Sequence, residues 1–267
     1  SIDSSLFAKT LAGLKDLPPV LLLIGEEDTL SSDCLKAFRE SFGRTYGSAM
    51  LDFNQDVLYG EKDDAGKVID ACSTLPIGME RRLVILHQAE KMSSESEEAV
   101  REYLASPNPS TVFVMVWSGK INPQSVSKGL PAAAEKAGLA VKCWRLSYED
   151  KRLEWIRSQA LPYKKEISRD AAVILSREAG ESLREMKTEI EKVMLFVGDK
   201  KIVQAEDVKR TMSFRADQIV WDFANDLDAG NMKKAGVVME RCLEQGEAPI
   251  MILNMMARSA RRLSERK

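Results

Sequence analysis

The feature that most constrains this chain is a succession of short apolar runs, rich in branched side chains and spaced by helical periodicity, between residues 20 and 145. The runs are Val20–Ile24, Ala49–Phe53, Leu83–His87, Val112–Trp117 and Ala140–Leu146, with helical patterns near 30–42, 62–73, 93–105 and 122–137. Most of them are continuously apolar, whereas a strand with one wet face would alternate, so both faces of the sheet must be covered. Strand and helix in repetition then predict a mostly parallel, three-layer α/β domain. Pro107, Asn108, Pro109 and Ser110 supply turn chemistry just ahead of the fourth run.

After Ser147 the strand pattern stops and the sequence predicts helices over 148–160, 168–179, 182–197 and 205–211. Ser182 followed by Glu185 fits a capping box, and Leu183, Met186, Ile190, Val193, Met194 and Val197 then share one helical face before Gly198 supplies a stop. From about Phe214 a third block predicts helices around 217–228, 232–244 and 249–264. The organisation expected is therefore an α/β domain over 1–146, a small helical domain over 147–213 and a further helical block over 214–267, too thin to hold a core by itself. That block closes on Arg258, Arg261, Arg262, Arg266 and Lys267, which read either as a solvated helix face or as a phosphate contact.

Composition removes several classes of function. Lys and Arg number 39 against 41 acids, a net charge of −2, which excludes a free-standing polycation that holds nucleic acid by charge alone. No apolar run approaches the length of a membrane span, and no charged-then-apolar leader opens the sequence, so the expectation is a cytoplasmic protein without a membrane partner. Cys34, Cys72, Cys143 and Cys242 are scattered and the only histidine is His87, so no metal site is expected and the thiols read as buried and reduced.

An open α/β sheet binds ligands at the carboxyl ends of its strands, and here the first such turn runs Gly25-Glu26-Glu27-Asp28-Thr29-Leu30-Ser31-Ser32. A phosphate-binding loop carries a second glycine, a lysine and a hydroxyl at fixed spacing. Gly25 remains, but the second glycine and the lysine are missing, and Glu26, Glu27 and Asp28 put three negative charges where a triphosphate would lie. The third run offers no acid at its end to hold magnesium, since Leu86 leads into His87 and Gln88 and Glu90 arrives three residues late. No nucleophile elbow, HExxH or GxGxxG follows a strand. The sequence describes a nucleotide-binding scaffold without the nucleotide chemistry, so neither catalysis nor a cofactor is expected.

Five stretches, taken in order, carry a family resemblance: PPVLLLIGEEDTL from Pro18, STLPIGMERRLVILHQAEKM from Ser73, NPSTVFVMVWSGKI from Asn108, EAGESLREMKTEIEKVMLFVGDKKIVQAEDV from Glu178 and LDAGNMKKAGVVMERCLEQGEAPIMILNMMAR from Leu227. Together they resemble the delta subunit of the bacterial DNA polymerase III clamp loader. The resemblance implies an AAA+-like domain with a degenerate phosphate loop (Gly25, Glu26, Glu27, Asp28), a helical lid domain and a helical collar domain within which this sequence stops. It further implies a non-ATPase subunit of a hetero-pentamer that grips the sliding clamp and opens one interface of the ring. Sister subunits bind the ATP, and primed DNA is met through the assembled complex.

In that family the grip is an exposed apolar pair just before the strand beginning ERRLV, which carries over to Ile77 and Gly78 with Pro76 and Met79 flanking. Gly78 departs from the bulky residue the family places there, and Met79 is the candidate substitute. The bland alternative is that Leu75 and Ile77 cover the sheet edge, with Leu75 the expected core member. Arg184 stands where AAA+ lids often carry a nucleotide-sensing arginine, with an ion pair as the alternative. The segment 118–128, with Lys120 and Lys128, could face a neighbour's nucleotide but lacks the Ser-Arg-Cys finger of sister subunits. Two other readings stay open: an NTPase with an aberrant phosphate loop, and a different inactive AAA+ adaptor.

Overall fold

The computed structural model describes residues 1–119, 128–211, 226–227, 231–244, 252–254 and 256–257. The chain separates into two compact units, Ser1–Lys151 and Arg152–Lys267.

The first unit is built on six parallel strands: β1 (Ile2–Asp3), β2 (Val20–Gly25), β3 (Gln55–Tyr59), β4 (Arg82–His87), β5 (Thr111–Ser118) and β6 (Leu139–Lys142). Their order is β1-β6-β2-β5-β4-β3. Every pairing is parallel, with Val20 opposite Phe113 and Leu83 opposite Val112 fixing the central register. Helices α1 (Ser4–Gly13), α2 (Asp28–Tyr46), α3 (Ala65–Ser73), α4 (Ser94–Leu104) and α5 (Gly129–Ala137) connect the strands. Side chains alternate along a strand. Val20, Leu22, Ile24, Val84, Leu86, Phe113 and Met115 therefore form one core with Val68, Cys72, Val100, Leu104, Leu130 and Ala134 of α3, α4 and α5. On the other face Phe7 of α1 stacks on Phe38 of α2, both buried.

Two sequence expectations are corrected here, and one segment the sequence left unmarked is filled. Ala49–Phe53 is not a strand: Leu51–Phe53 makes a single 3-10 turn and the strand follows at Gln55–Tyr59. This strand is the sheet edge and is only partly buried, so it never acquires the continuous apolar run that marks its neighbours. The last strand stops at Lys142, short of Leu146, after which Cys143 uses its backbone to bridge to the β2 side. The first nineteen residues hold a further edge strand and a helix that periodicity did not mark, the helix capped by the Asp3 carboxylate accepting from the Ser5 N–H.

The second unit contains α6 from Arg152 onward (the helix runs Glu149–Ser158), α7 (Arg169–Glu178), α8 (Leu183–Phe196) and α9 (Ala205–Thr211), with a short parallel bridge of β7 (Glu166–Ile167) and β8 (Ile202–Val203). Ser168 and Ser182 cap α7 and α8 by accepting from the N–H groups three residues on. Leu183, Met186, Ile190, Val193 and Met194 are buried as one stripe, and Gly198 follows in the left-handed region at φ +52°. Helix α10 (Met232–Glu244) lies where the sequence predicts it. The predicted helix over 249–264 is described only at 252–254 and 256–257, where it is helical, and the arginine cluster from Arg258 onward lies outside the described residues.

At the open edge of the sheet the ring of His87 stacks on that of Tyr59, centroids 5.4 Å apart. Burial first, and the charge of Arg39 second, hold the imidazole below its ordinary value. The unfolded chain takes up that proton near its ordinary pKa of about 6.5. Stability contributed by neutral His87 is thus present above about pH 6.5 and lost as pH falls from there towards the folded value. Urea unfolding midpoints should fall more steeply between pH 7 and 5.5 in the native protein than in His87→Gln. Equal slopes would show that the folded state does not resist this proton.

Candidate functional site

Two turns at opposite ends of the sheet were singled out by sequence, and the geometry of each is different. The turn after β2 lies at the carboxyl ends of the strands. Gly25 is buried, and a Cβ built on it would sit 2.0 Å from the Cys143 carbonyl oxygen, so the glycine is required by the close passage of two backbones. The Glu27 N–H donates to that same carbonyl at 3.1 Å, and the Cys143 N–H donates to the Ile24 carbonyl at 2.8 Å. One amide that a phosphate loop would aim at its ligand is therefore already engaged. Glu26 and Asp28 are exposed, Glu27 is half-buried, and α2 starts at Asp28 without a side-chain cap. Beneath the turn, Cys34 and Cys143 are buried, and the contact between their thiols, reinforced by burial, pushes the Cys34 thiol upward, away from any nucleophilic role. Glu90, the late acid after β4, accepts from the Ser118 N–H at 2.9 Å and ties the end of β5 to the segment after β4. Among the described residues no group of His, Cys, Asp and Glu could hold a metal ion.

The second turn, 74–81, joins α3 to β4 at the amino ends of the strands. It is pinned at successive points. Thr74 donates to the Asp70 carbonyl from both its N–H and its hydroxyl, at 3.0 and 2.7 Å, closing α3. The buried Arg82 guanidinium pairs with Asp56 of β3 and makes a long contact, 3.5 Å, to the Leu75 carbonyl. The Ile77 N–H donates to Asn54 Oδ1 at 2.6 Å, and Asn54 Nδ2 donates back to the Ile77 carbonyl at 2.8 Å. Arg81 closes the turn by donating to Asp16 and the Leu17 carbonyl while lying over the Tyr46 ring.

On this anchored backbone the apolar side chains stand in solvent. Leu75 is 72% exposed and Ile77 59%; Gly78 is exposed, and Pro76 and Met79 are half-buried. Leu75 is thus not the core member the sequence suggested: the turn leaves the sheet at that point, and only Arg82 reaches back to its carbonyl. Gly78 has φ +65°, a conformation that L side chains rarely adopt, which accounts for glycine at this point of the turn. Phe53, 67% exposed, stands beside the buried Asn54 and was not singled out by sequence. Nor was Asn54: an asparagine before a strand is an ordinary turn residue, and no spacing links position 54 to 77. Arg184 is exposed in the first turn of α8, Lys128 is exposed, and residues 120–127 lie outside the described residues.

The chain is similar to known proteins in sequence and in fold. A family model described as DNA polymerase III, delta subunit, matches residues 22–137. The DNA polymerase III subunit delta of Bacillus subtilis is 24% identical over 260 residues, covering 94% of this chain and 73% of the relative. The probable DNA polymerase III subunit delta of Aquifex aeolicus is 26% identical over 271 residues, covering 96% and 73%. A solved structure of the Bacillus subtilis DNA clamp loader delta protein superposes with a TM-score of 0.72 at 24% identity, over 96% of this chain and 76% of that one, and it shares the fold. These findings bear out the resemblance to the delta subunit, and the shared fold bears out the α/β class with its mostly parallel sheet.

Whatever that kinship implies for function, the turn after β2 makes a physical prediction. Gly25→Ala forces the backbones of β2 and Cys143 apart and should destabilise the protein by about 1–3 kcal/mol, read as a lower urea midpoint. Replacing Gly119, where an added Cβ would meet nothing within 4 Å but φ is +101°, isolates the cost of backbone strain alone. A Gly25→Ala protein as stable as the native one would show that the close passage is not tight.

Proposed function

We propose that this relative of the DNA polymerase III delta subunits is a non-catalytic clamp-loader subunit that docks on the sliding clamp through the turn Pro76–Met79 and opens one interface of the ring. The observation that carries this reading is the pairing of exposure with anchoring. Ile77 and Leu75 stand mostly in solvent on a backbone held by the buried Asn54 and Arg82. An exposed large apolar side chain on a soluble protein is unremarkable alone; one held rigid loses little conformational freedom when it enters a pocket, so more of its burial appears as affinity. Each large aliphatic side chain buried in that way contributes about 1.5–3 kcal/mol.

Ring opening needs only that the docked turn bind the open clamp better than the closed one, since a ligand shifts an equilibrium by its differential affinity. The turn after β2 fits the same role from the other side: three acids, an amide engaged by Cys143 and no lysine leave it unsuited to a triphosphate. ATP would then be bound by sister subunits of a hetero-pentamer, and primed DNA met by the assembled complex. No described helix is long and apolar enough to cross a membrane, and a cytoplasmic replication role accords with that. The division into an AAA+-like domain (1–146), a lid (147–213) and the start of a collar (214–267) belongs to the same reading.

Mixed with its cognate sliding clamp, the native chain should co-elute on size exclusion. Ile77→Asp should weaken the affinity by about 10- to 100-fold, the loss of one buried aliphatic group at 1.4 kcal/mol per tenfold, and Leu75→Asp should act in the same direction. Wild-type affinity in both variants would overturn the docking assignment. Mg·ATP titrated into the isolated chain should give no saturable heat below the low millimolar range; a tighter isotherm with turnover would favour the NTPase reading.

A further inference from the structure

Asn54 has no exposed surface, yet its side chain serves a turn whose large apolar residues Leu75 and Ile77 are exposed. Its Oδ1 accepts from the Ile77 N–H, and its Nδ2 donates to the Ile77 carbonyl and to the Met50 carbonyl, both at 2.8 Å. The primary amide thus pairs with both backbone groups of Ile77, as a neighbouring strand would. Its own backbone is fixed independently: the Asn54 carbonyl accepts from the Leu83 N–H of β4 at 2.8 Å, and its N–H donates to the Leu51 carbonyl at 2.9 Å. Asn54 therefore belongs to the sheet through its main chain and to the turn through its side chain. Met50 completes the contact, its side chain lying 3.9 Å from the Cβ position of Gly78.

Ile77 is 59% exposed, so packing of its own side chain holds it only in part. The firmer hold is on its backbone, where Asn54 takes both polar groups. We infer that Asn54 is the positioning residue of the docking turn: it sets how Ile77 is presented and so governs affinity for the clamp without touching it. This inference rests on the docking reading above. A merely structural asparagine would satisfy buried polar groups equally well but would leave clamp affinity indifferent to whether Ile77 is present.

The test uses the full chain carrying Asn54→Ala, with the isosteric Asn54→Asp as the second variant, each made in the native and the Ile77→Ala backgrounds. Affinity for the sliding clamp is measured by calorimetry, and amide exchange by NMR or mass spectrometry. Asn54→Ala should speed exchange at the Ile77 amide at least tenfold while β4 and β5 amides stay within about twofold. Asn54→Asp keeps the acceptor for that amide but turns an acceptor-only oxygen on the Ile77 and Met50 carbonyls, so it should restore the protection factor only at a pH where the carboxyl is protonated and can donate again. Clamp affinity should fall about tenfold or more in the native background and change less than twofold in the Ile77→Ala background, the non-additivity expected of two residues acting through one contact. An equal loss in both backgrounds would overturn the inference in favour of a general effect on the fold. Unchanged Ile77 exchange in Asn54→Ala would overturn the positioning itself. If Ile77→Ala alone leaves affinity unaltered, the docking reading fails, and the exchange measurement still judges whether Asn54 holds the turn.

Discussion

Everything in the first unit depends on β2 lying buried on both faces between β5 and β6, paired in parallel with each. Its backbone is closely approached at both ends. A Cβ on Gly138 would fall 2.0 Å from the Val20 carbonyl oxygen, just as one on Gly25 would meet that of Cys143. The central strand is held at each end by a glycine that lets another segment pass against it. This changes the meaning of Gly25. A glycine at this turn suggests a phosphate cradle, but here the close passage of the Cys143 backbone by itself requires it.

A parallel sheet also divides its turns into two groups. Those after the strands gather at the carboxyl end, where the acidic turn Glu26–Asp28 lies; those before the strands gather at the amino end, with Asn54 ahead of β3 and the 74–81 turn ahead of β4. The apolar turn and the acidic turn are consequently at opposite ends of one sheet. The geometry of one turn therefore places no demand on the other, and Leu75 and Ile77 stand mostly in solvent at the amino end.

The strands with continuous apolar runs were legible in the sequence because burial on both faces leaves no polar alternation. Helices with a capping serine and a single apolar stripe, such as α8, were legible for the same kind of reason. What escaped was the edge. Gln55–Tyr59 carries Asp56 inward to the Arg82 guanidinium and exposes Val57 and Tyr59, a pattern with no distinct period. Leu75 misled in the opposite sense, since an apolar residue between a helix and a buried strand reads as core until the direction of the chain is known.

The sequence by itself determined the class of sheet, the missing charge-neutralising lysine and the neighbourhood of the exposed turn, because each is written in the types and spacing of adjacent residues. Only the tertiary structure decided which apolar side chains of that turn face water, why Gly78 is glycine, and that Asn54 holds Ile77. Those facts depend on hydrogen bonds between segments 23 residues apart and on a left-handed backbone angle, and neither leaves a periodic signal along the chain.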